Sequence, residues 1–302
     1  LNCPPSSSRR SKSVTAWPRL ATAVSAASRG HAVTLFERRE ELGGQFNYAR
    51  KIPGKEEFFE TLRYFHVMLA KYAVDVRLNA EATAEALADF DVVVIATGVT
   101  PRTLDVPGAD HPSVLSYAEA IEHPERVGRE VAVIGAGGIG FDVSELLSHV
   151  EHPALDLDAW CREWGVDLSV SERGGLVAPN PPAPARRITL LQRKRSKPGK
   201  GLGKTTGWVH RAALKARNVA MLSGCEYLRI DDDGLHLRME GEERVLAVDS
   251  IVVCAGQESV RDLVEPLKHA GREVHVIGGA FEAAELDAKR AIDQGMRLAA
   301  TL

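Results

Sequence analysis

Cysteine is scarce: Cys3, Cys161, Cys225 and Cys254 stand far apart in 302 residues and form no CxxC pair. That spacing excludes a local redox disulfide and a structural zinc knuckle, and no metal site is expected. Reduced thiols in a cytoplasmic protein are the expectation. Long apolar runs are missing too. No stretch approaches the roughly 20 residues that a helix needs to cross a bilayer, so no membrane partner is expected. Charge of one sign is also lacking, since 38 Lys and Arg against 41 Asp and Glu leave a net charge of -3. Nothing in that balance suggests nucleic acid or another polyanion as a partner.

With 44% hydrophobic residues, the chain is rich and long enough to bury a core in each of two domains. Its opening, LNCPPSSSRRSKS, is polar, basic and rich in proline and serine. No apolar h-region or small-residue cleavage site follows, so a linker or disordered tail is expected rather than a targeting peptide.

Val131 to Gly140 reads VAVIGAGGIG, an apolar strand running into Gly135-x-Gly137-x-x-Gly140 and then a helical pattern. The first glycine permits a sharp turn, the second admits a pyrophosphate to the backbone, and the third lets helix and strand pack closely. The helix start then offers N–H groups and a positive dipole end to phosphates. Glycine-rich turns are common, and a partial second copy of the plan strengthens the reading.

Val33–Arg39 (VTLFERR) aligns with Ile188–Lys194 (ITLLQRK), and Val92–Gly98 (VVVIATG) echoes Ile251–Gly256 (IVVCAG). These are apolar runs of the kind buried parallel strands show. The expected architecture is α/β, with two Rossmann-like doubly wound domains. Residues 1–19 are expected to be a linker or aberrant N-terminus, 20–128 with 258–302 a flavin domain, and 129–257 a nicotinamide-nucleotide domain. Glu56 to Leu69 repeats apolar residues at helical spacing, and Asp142 to Val150 continues the helix launched at Gly140. An insertion at about 151–186 holds Trp160, Cys161, Trp164 and the run PNPPAPARR. It lengthens the usual gap of about 20 residues between fingerprint and second strand, and reads as a helical excursion plus an extended linker.

An acid ending the second strand hydrogen-bonds an adenosine 2′-OH, whereas arginine there accommodates a 2′-phosphate. Glu37, followed by Arg38, therefore suits the unphosphorylated ribose of FAD or NAD. Gln192 with Arg193, Lys194 and Arg195 suits NADPH; a solvated basic loop is the plainer alternative. Gly43 and Gly44 would let backbone pass close to flavin phosphates or the ribityl chain, with Gln45 as a polar contact, although an ordinary turn also explains them. Gly199–Thr205 (GKGLGKT) imitates a Walker loop but is one residue short, which excludes nucleoside-triphosphate hydrolysis.

Taken together, the residues from about Leu20 to Leu302 resemble the C-terminal flavin and NADPH portion of the bacterial NADPH-dependent 2,4-dienoyl-CoA reductases, in the old yellow enzyme/trimethylamine dehydrogenase group. The stretches that carry the resemblance are Leu42–Asn47, Lys51–Phe58, Ala96–Arg102, Ala132–Asp142, Gln192–Trp208 and Val276–Ile292. The resemblance implies Rossmann-like domains of the pyridine-nucleotide–flavin reductase type, the first with a degraded N-terminal βα unit. It also implies a relay for fatty-acid beta-oxidation. NADPH passes a hydride to FAD, and electrons continue through a four-iron cluster to an FMN in an N-terminal barrel, where a dienoyl-CoA is reduced. It further implies that Gly135, Gly137 and Gly140 hold NADPH phosphates, with Arg193 and Lys194 near the 2′-phosphate. Glu37, Gln45, Thr97, Gly98 and the Gly278–Gly279 turn would lie around FAD, together with the start of helix Glu285–Ile292. That same helix reads equally as a solvated one with complementary end charges. No side chain is assigned a catalytic acid or base role, because the cofactors carry the chemistry.

Two departures qualify that implication. No barrel or cysteine cluster precedes Leu20, so FMN, the cluster and the dienoyl-CoA site are expected only in a missing N-terminal part. Where the family shows GxGPAG, this chain has Val14-Thr15-Ala16-Trp17-Pro18-Arg19. An arginine at the close-packing position and no glycine at the pyrophosphate turn are expected to weaken FAD binding badly. Because Leu20 onward fits again, a truncated or frame-shifted gene product is expected here. The alternatives are an inactive fragment and a stand-alone NADPH-dependent reductase subunit serving a separate electron acceptor.

Overall fold

The computed structural model describes residues 10–14, 17–150, 156–284 and 288–302. The chain begins with β1 (Arg10–Val14), α1 (Trp17–Ser28), β2 (Ala32–Phe36), α2 (Gln45–Ala49), α3 (Phe58–Lys71), β3 (Asp75–Arg77), β4 (Val92–Ile95) and β5 (Val99–Pro101). There follow β6 (Val114–Ser116), α4 (Tyr117–Glu122), β7 (Glu130–Ile134), α5 (Gly138–Ser148), α6 (Leu157–Trp164), β8 (Arg187–Gln192) and α7 (Gly207–Ala216). Next come β9 (Ala220–Ser223), β10 (Glu226–Asp231), β11 (Gly234–Met239), β12 (Glu242–Leu246) and β13 (Ser250–Val253). The last elements are β14 (Gln257–Ser259), α8 (Val264–His269), β15 (Glu273–Val276) and α9 (Ala288–Thr301).

Two compact units result. Unit 1 comprises Leu1–Arg50, Glu57–Thr100 and Gln257–Leu302; unit 2 comprises Lys51–Glu56 and Pro101–Gly256. Unit 1 holds a five-stranded sheet in the order β15-β4-β1-β2-β3, and unit 2 one in the order β6-β13-β7-β8-β9. Every pairing in both sheets is parallel. The echo between Val33–Arg39 and Ile188–Lys194 thus reflects one plan used twice: a central strand flanked by the strand that carries the acid position. Strands buried on both faces need unbroken apolar sequence. All four residues of β4 are buried, as are Val131 to Ile134 of β7.

The β1 strand departs from the expected linker at residues 1–19. RSKSV is a poor strand sequence, yet its backbone pairs with β2 on one side and β4 on the other, Ser11 lying opposite both Val33 and Val92. Hydrogen-bonding slots on two sides outweigh local propensity here. Thr15 and Ala16, part of the missing fingerprint, lie outside the described residues. The unit boundary also differs, falling after Thr100 and not at 128. The short β6 explains this, because Val114 and Leu115 pair with Ile251 and Val252 of β13. Immediately after it, Ser116 and Glu119 form a reciprocal cap that starts α4.

In unit 1, α1 buries Leu20, Ala21, Ala23, Val24 and Ala26 against Phe65, Leu69 and Ala299. In unit 2 the antiparallel β10-β11-β12 meander lays Ile230, Leu235 and Leu237 over Ala132, Ile134, Leu191 and Ile251. The described residues of the insertion, from Asp156 on, form a helix followed by largely irregular chain. Asp156 caps α6 by accepting from Ala159 N at 2.9 Å, and Gly165 ends it in the left-handed region at φ 69°. Among the described residues, no helix is long and apolar enough to cross a membrane.

Candidate nucleotide sites

In unit 2, each fingerprint glycine has its own physical role. Gly135 sits at φ 114°, and a Cβ there would lie 2.5 Å from the Cys254 carbonyl oxygen. At Gly140 a Cβ would collide with the Gly135 carbonyl oxygen, so only hydrogen lets α5 pack on the turn. Gly137 is different: a Cβ would meet nothing within 4 Å. Its bareness serves open space at the start of α5, whose first N–H groups are unclaimed by the helix.

The basic run is tied to that turn at both ends. Gly135 N donates to Leu191 O at 2.8 Å as β8 finishes, and Gly199 N donates to Ala136 O at 3.2 Å as the loop returns. Between these anchors Arg193, Lys194 and Arg195 are exposed. The Gln192 amide donates inward to the carbonyls of Lys194, at 3.0 Å, and Ser196. That glutamine shapes the loop, a role its sequence position alone did not reveal. The near-Walker stretch Gly199–Thr205 leads into α7, with Arg211 Nη1 donating to Gly199 O at 3.1 Å.

Unit 1 arranges its expected residues differently. Arg38 and Thr97 line a cleft of about 170 Å³ with Phe36, Ala80, Glu81, Ala82, Val260, Asp262 and Leu263. Thr97 donates to Val260 O at 2.5 Å, and Gly98, at φ 77°, accepts from Val260 N at 3.1 Å. Gly44 precedes α2 at φ 53°, and Gln45 is the half-buried first residue of that helix. Gly278 and Gly279 form a buried 3-10 turn after β15, with Gly278 N donating to Gln294 Oε1 at 2.8 Å. A Cβ on Gly279 would press on Val99 and Gly98, so this turn packs against the end of β4's own loop. The opening of the following helix, Glu285 to Asp287, lies outside the described residues.

Glu37 directly follows β2 as expected but is not among the residues that line that cleft. Arg19, entirely buried, bonds its carboxylate through Nη2 and donates to Phe36 O from Nη1 at 2.6 Å. The second carboxylate oxygen accepts from Arg39 N at 3.0 Å. Burial pushes the guanidinium below its usual value, while Glu37 acts in the opposite direction. Glu37 therefore has a protein donor on each oxygen and a side chain only 4% exposed, so burial rather than saturation closes off its remaining lone pairs.

A further charged cluster in unit 2 escaped the sequence reading. Lys55 Nζ meets Asp142 Oδ2 at 2.6 Å, across 87 positions of chain. Asp142 stands two residues after Gly140, in the N-terminal half of α5. Burial raises its carboxyl above the ordinary range, and Lys55 offsets part of that. On the same helix, Glu145 holds His210 Nδ1 at 3.3 Å, which raises the histidine. Lys55 and Asp142 both fall in stretches that carry the resemblance, but nothing local couples them. Elsewhere Asp231, Asp233 and His236 gather at the β10-β11 turn, where His236 Nε2 and Asp231 Oδ1 are 2.7 Å apart. Asp233 N also donates to Asp231, so the group closes a hairpin.

The chain is 26% identical over 265 residues to a metal reductase of Desulforamulus reducens, covering 85% of this chain and 38% of that protein. It is likewise 26% identical over 264 residues to a cinnamate reductase of Clostridium sporogenes, covering 84% and 34%. It thus spans little more than a third of the length of these relatives. A solved 2-naphthoyl-CoA reductase in complex with 2-naphthoyl-CoA shares the fold, with a TM-score of 0.81 at 22% identity over 99% of this chain and 40% of that one. The profile of the pyridine nucleotide-disulphide oxidoreductase family matches residues 20–283, and the chain belongs to that family.

Proposed function

We propose that the chain is the NADPH-handling portion of a flavoprotein reductase, an oxidoreductase in which unit 2 holds NADPH and its hydride passes to a flavin acceptor. The observation that carries this reading is the double tether of the basic loop to the glycine turn, through Leu191 O and Ala136 O. It keeps Arg193 and Lys194 within one loop of the open space above Gly137. Gln192 replaces the carboxylate that would repel a 2′-phosphate, and the neighbouring guanidinium and ammonium groups favour a dianion. The start of α5 supplies N–H donors for the pyrophosphate. When bound, the nicotinamide supplies the hydride; this chain's residues bind it, orient it and exclude water.

The finer reading keeps 2,4-dienoyl-CoA as the terminal substrate, reduced by an FMN barrel in the longer protein. The resemblance at Gln192–Trp208 and Val276–Ile292 supports it, as does a fold neighbour crystallised with a coenzyme A thioester. In this scheme Glu37, Arg38, Gly44, Gln45, Thr97, Gly98, Gly278 and Gly279 form the FAD side. The Arg19–Glu37 pair favours a second reading, in which this chain binds the pyridine nucleotide but carries no flavin of its own.

The test is nucleotide preference. In the double variant Arg193→Ala/Lys194→Ala, the dissociation constant for NADPH is expected to rise about 10- to 100-fold. That is the loss of one or two charge-assisted hydrogen bonds. NADH binding should be unchanged. Equal losses for both nucleotides in calorimetric titrations would remove the 2′-phosphate from the account.

A further inference from the structure

We infer that Arg19 is an internal stand-in for the adenosine ribose, closing the FAD seat of unit 1 from within. The place it fills is defined by the fold. Position 19 is where the doubly wound plan puts its third glycine, on the first turns of α1. In unit 2 the matching Gly140 has no room for even a Cβ, because α5 lies directly on the Gly135 carbonyl. In unit 1 a full arginine side chain is accommodated and completely buried. It reaches across to the end of β2, donating to Phe36 O at 2.6 Å and to the Glu37 carboxylate.

Those acceptors matter because of what a ribose would need. A bound ribose offers hydroxyl donors to a carboxylate at the end of the second strand. Here a cation already donates to one oxygen of that carboxylate and Arg39 N to the other, and with the side chain only 4% exposed its remaining lone pairs are shut off by packing. A neutral hydroxyl competes poorly with a guanidinium held in place by packing and a second hydrogen bond. The neighbouring cleft at Phe36, Arg38, Ala82 and Thr97 remains, so the block acts at the ribose and leaves the adjoining space intact. Unit 1 is therefore satisfied without a nucleotide. The inference goes beyond the NADPH reading of unit 2 and stands whether or not that reading holds.

The experiment is FAD titration of the full chain by equilibrium dialysis, with 2′,5′-ADP binding measured in parallel to report on unit 2. The wild-type chain is expected to bind FAD at least about tenfold more weakly than Arg19→Gly, the worth of one charge-assisted hydrogen bond. Adding Glu37→Gln to Arg19→Gly should remove that gain, since the released carboxylate is what the ribose would use. FAD should raise the melting temperature of Arg19→Gly and leave that of the wild type in place. Should Arg19→Gly fail to fold, the single variant Glu37→Gln decides. FAD affinity equal to wild type supports the inference, because the carboxylate was already engaged, and affinity about tenfold weaker overturns it. A folded Arg19→Gly with no gain in FAD affinity also overturns it. Loss of 2′,5′-ADP binding would count against the reading of unit 2 alone.

Discussion

Gly140→Ala is expected to destabilise unit 2 by about 3 kcal/mol, the upper range for forcing an extra carbon into packed structure. The added Cβ would meet the Gly135 carbonyl oxygen, which is backbone and cannot swing aside as a side chain would. Alanine's better helix propensity returns at most about 1 kcal/mol, so the steric cost dominates. Urea unfolding of the full chain should show a lowered transition for this variant. Gly137→Ala should behave in the opposite way. Its φ of -89° suits any residue, and a Cβ there meets nothing, so stability should stay within about 0.5 kcal/mol of wild type. On the proposed reading, nucleotide binding should nevertheless weaken about tenfold or more, because the methyl would stand where a pyrophosphate is to approach the backbone. The pair separates a glycine that the fold needs from one that a ligand needs. Equal stability losses in both would erase that distinction.

Arg217→Met is expected to cost about 2–4 kcal/mol, for a reason unconnected with the nucleotide. Arg217 follows α7 with its side chain 1% exposed, and its Nη2 donates to Glu163 Oε1 at 2.7 Å. Glu163 lies on α6, so this pair fastens the insertion helix to the rest of unit 2. Methionine matches the arginine stem in length but leaves an acid, 11% exposed, without its cation. The loss comes from that stranded charge. Arg217→Met/Glu163→Met should recover most of the stability, since replacing both partners of a buried pair by apolar groups is often neutral. Failure of the double variant to recover, in the same unfolding experiment, would assign the loss to Arg217 packing.

The parallel strands were the most legible part of the chain. VVVI at 92–95 and VAVI at 131–134 are continuous apolar runs because both sheet faces are covered. By contrast, β1 was illegible: RSKSV takes its form from two neighbouring strands far away in sequence, and single-chain propensity says nothing about them. The same holds for β6, whose three residues joined unit 2 and moved the boundary to Thr100.

The candidate site divides similarly. Glycine spacing and the basic run after ITLLQ are local patterns, so the turn at Gly135–Gly140 and the loop at Arg193 were readable. Glu37 was readable as the acid ending β2, and Arg19 as a misfit at a glycine position. Their pairing was not, because it depends on which way a long side chain turns inside the core. Lys55 and Asp142 were hidden for the same reason, being brought together only by the fold.

On the proposed reading, the turn at Gly137 and the basic loop after β8 form one seat for a phosphorylated adenosine. The most direct measurement is calorimetric titration of the full chain with 2′,5′-ADP and with 5′-AMP, which differ only in the 2′-phosphate. 2′,5′-ADP is expected to bind at least about tenfold more tightly, with the difference shrinking as salt rises. Indistinguishable affinities at low salt would contradict it.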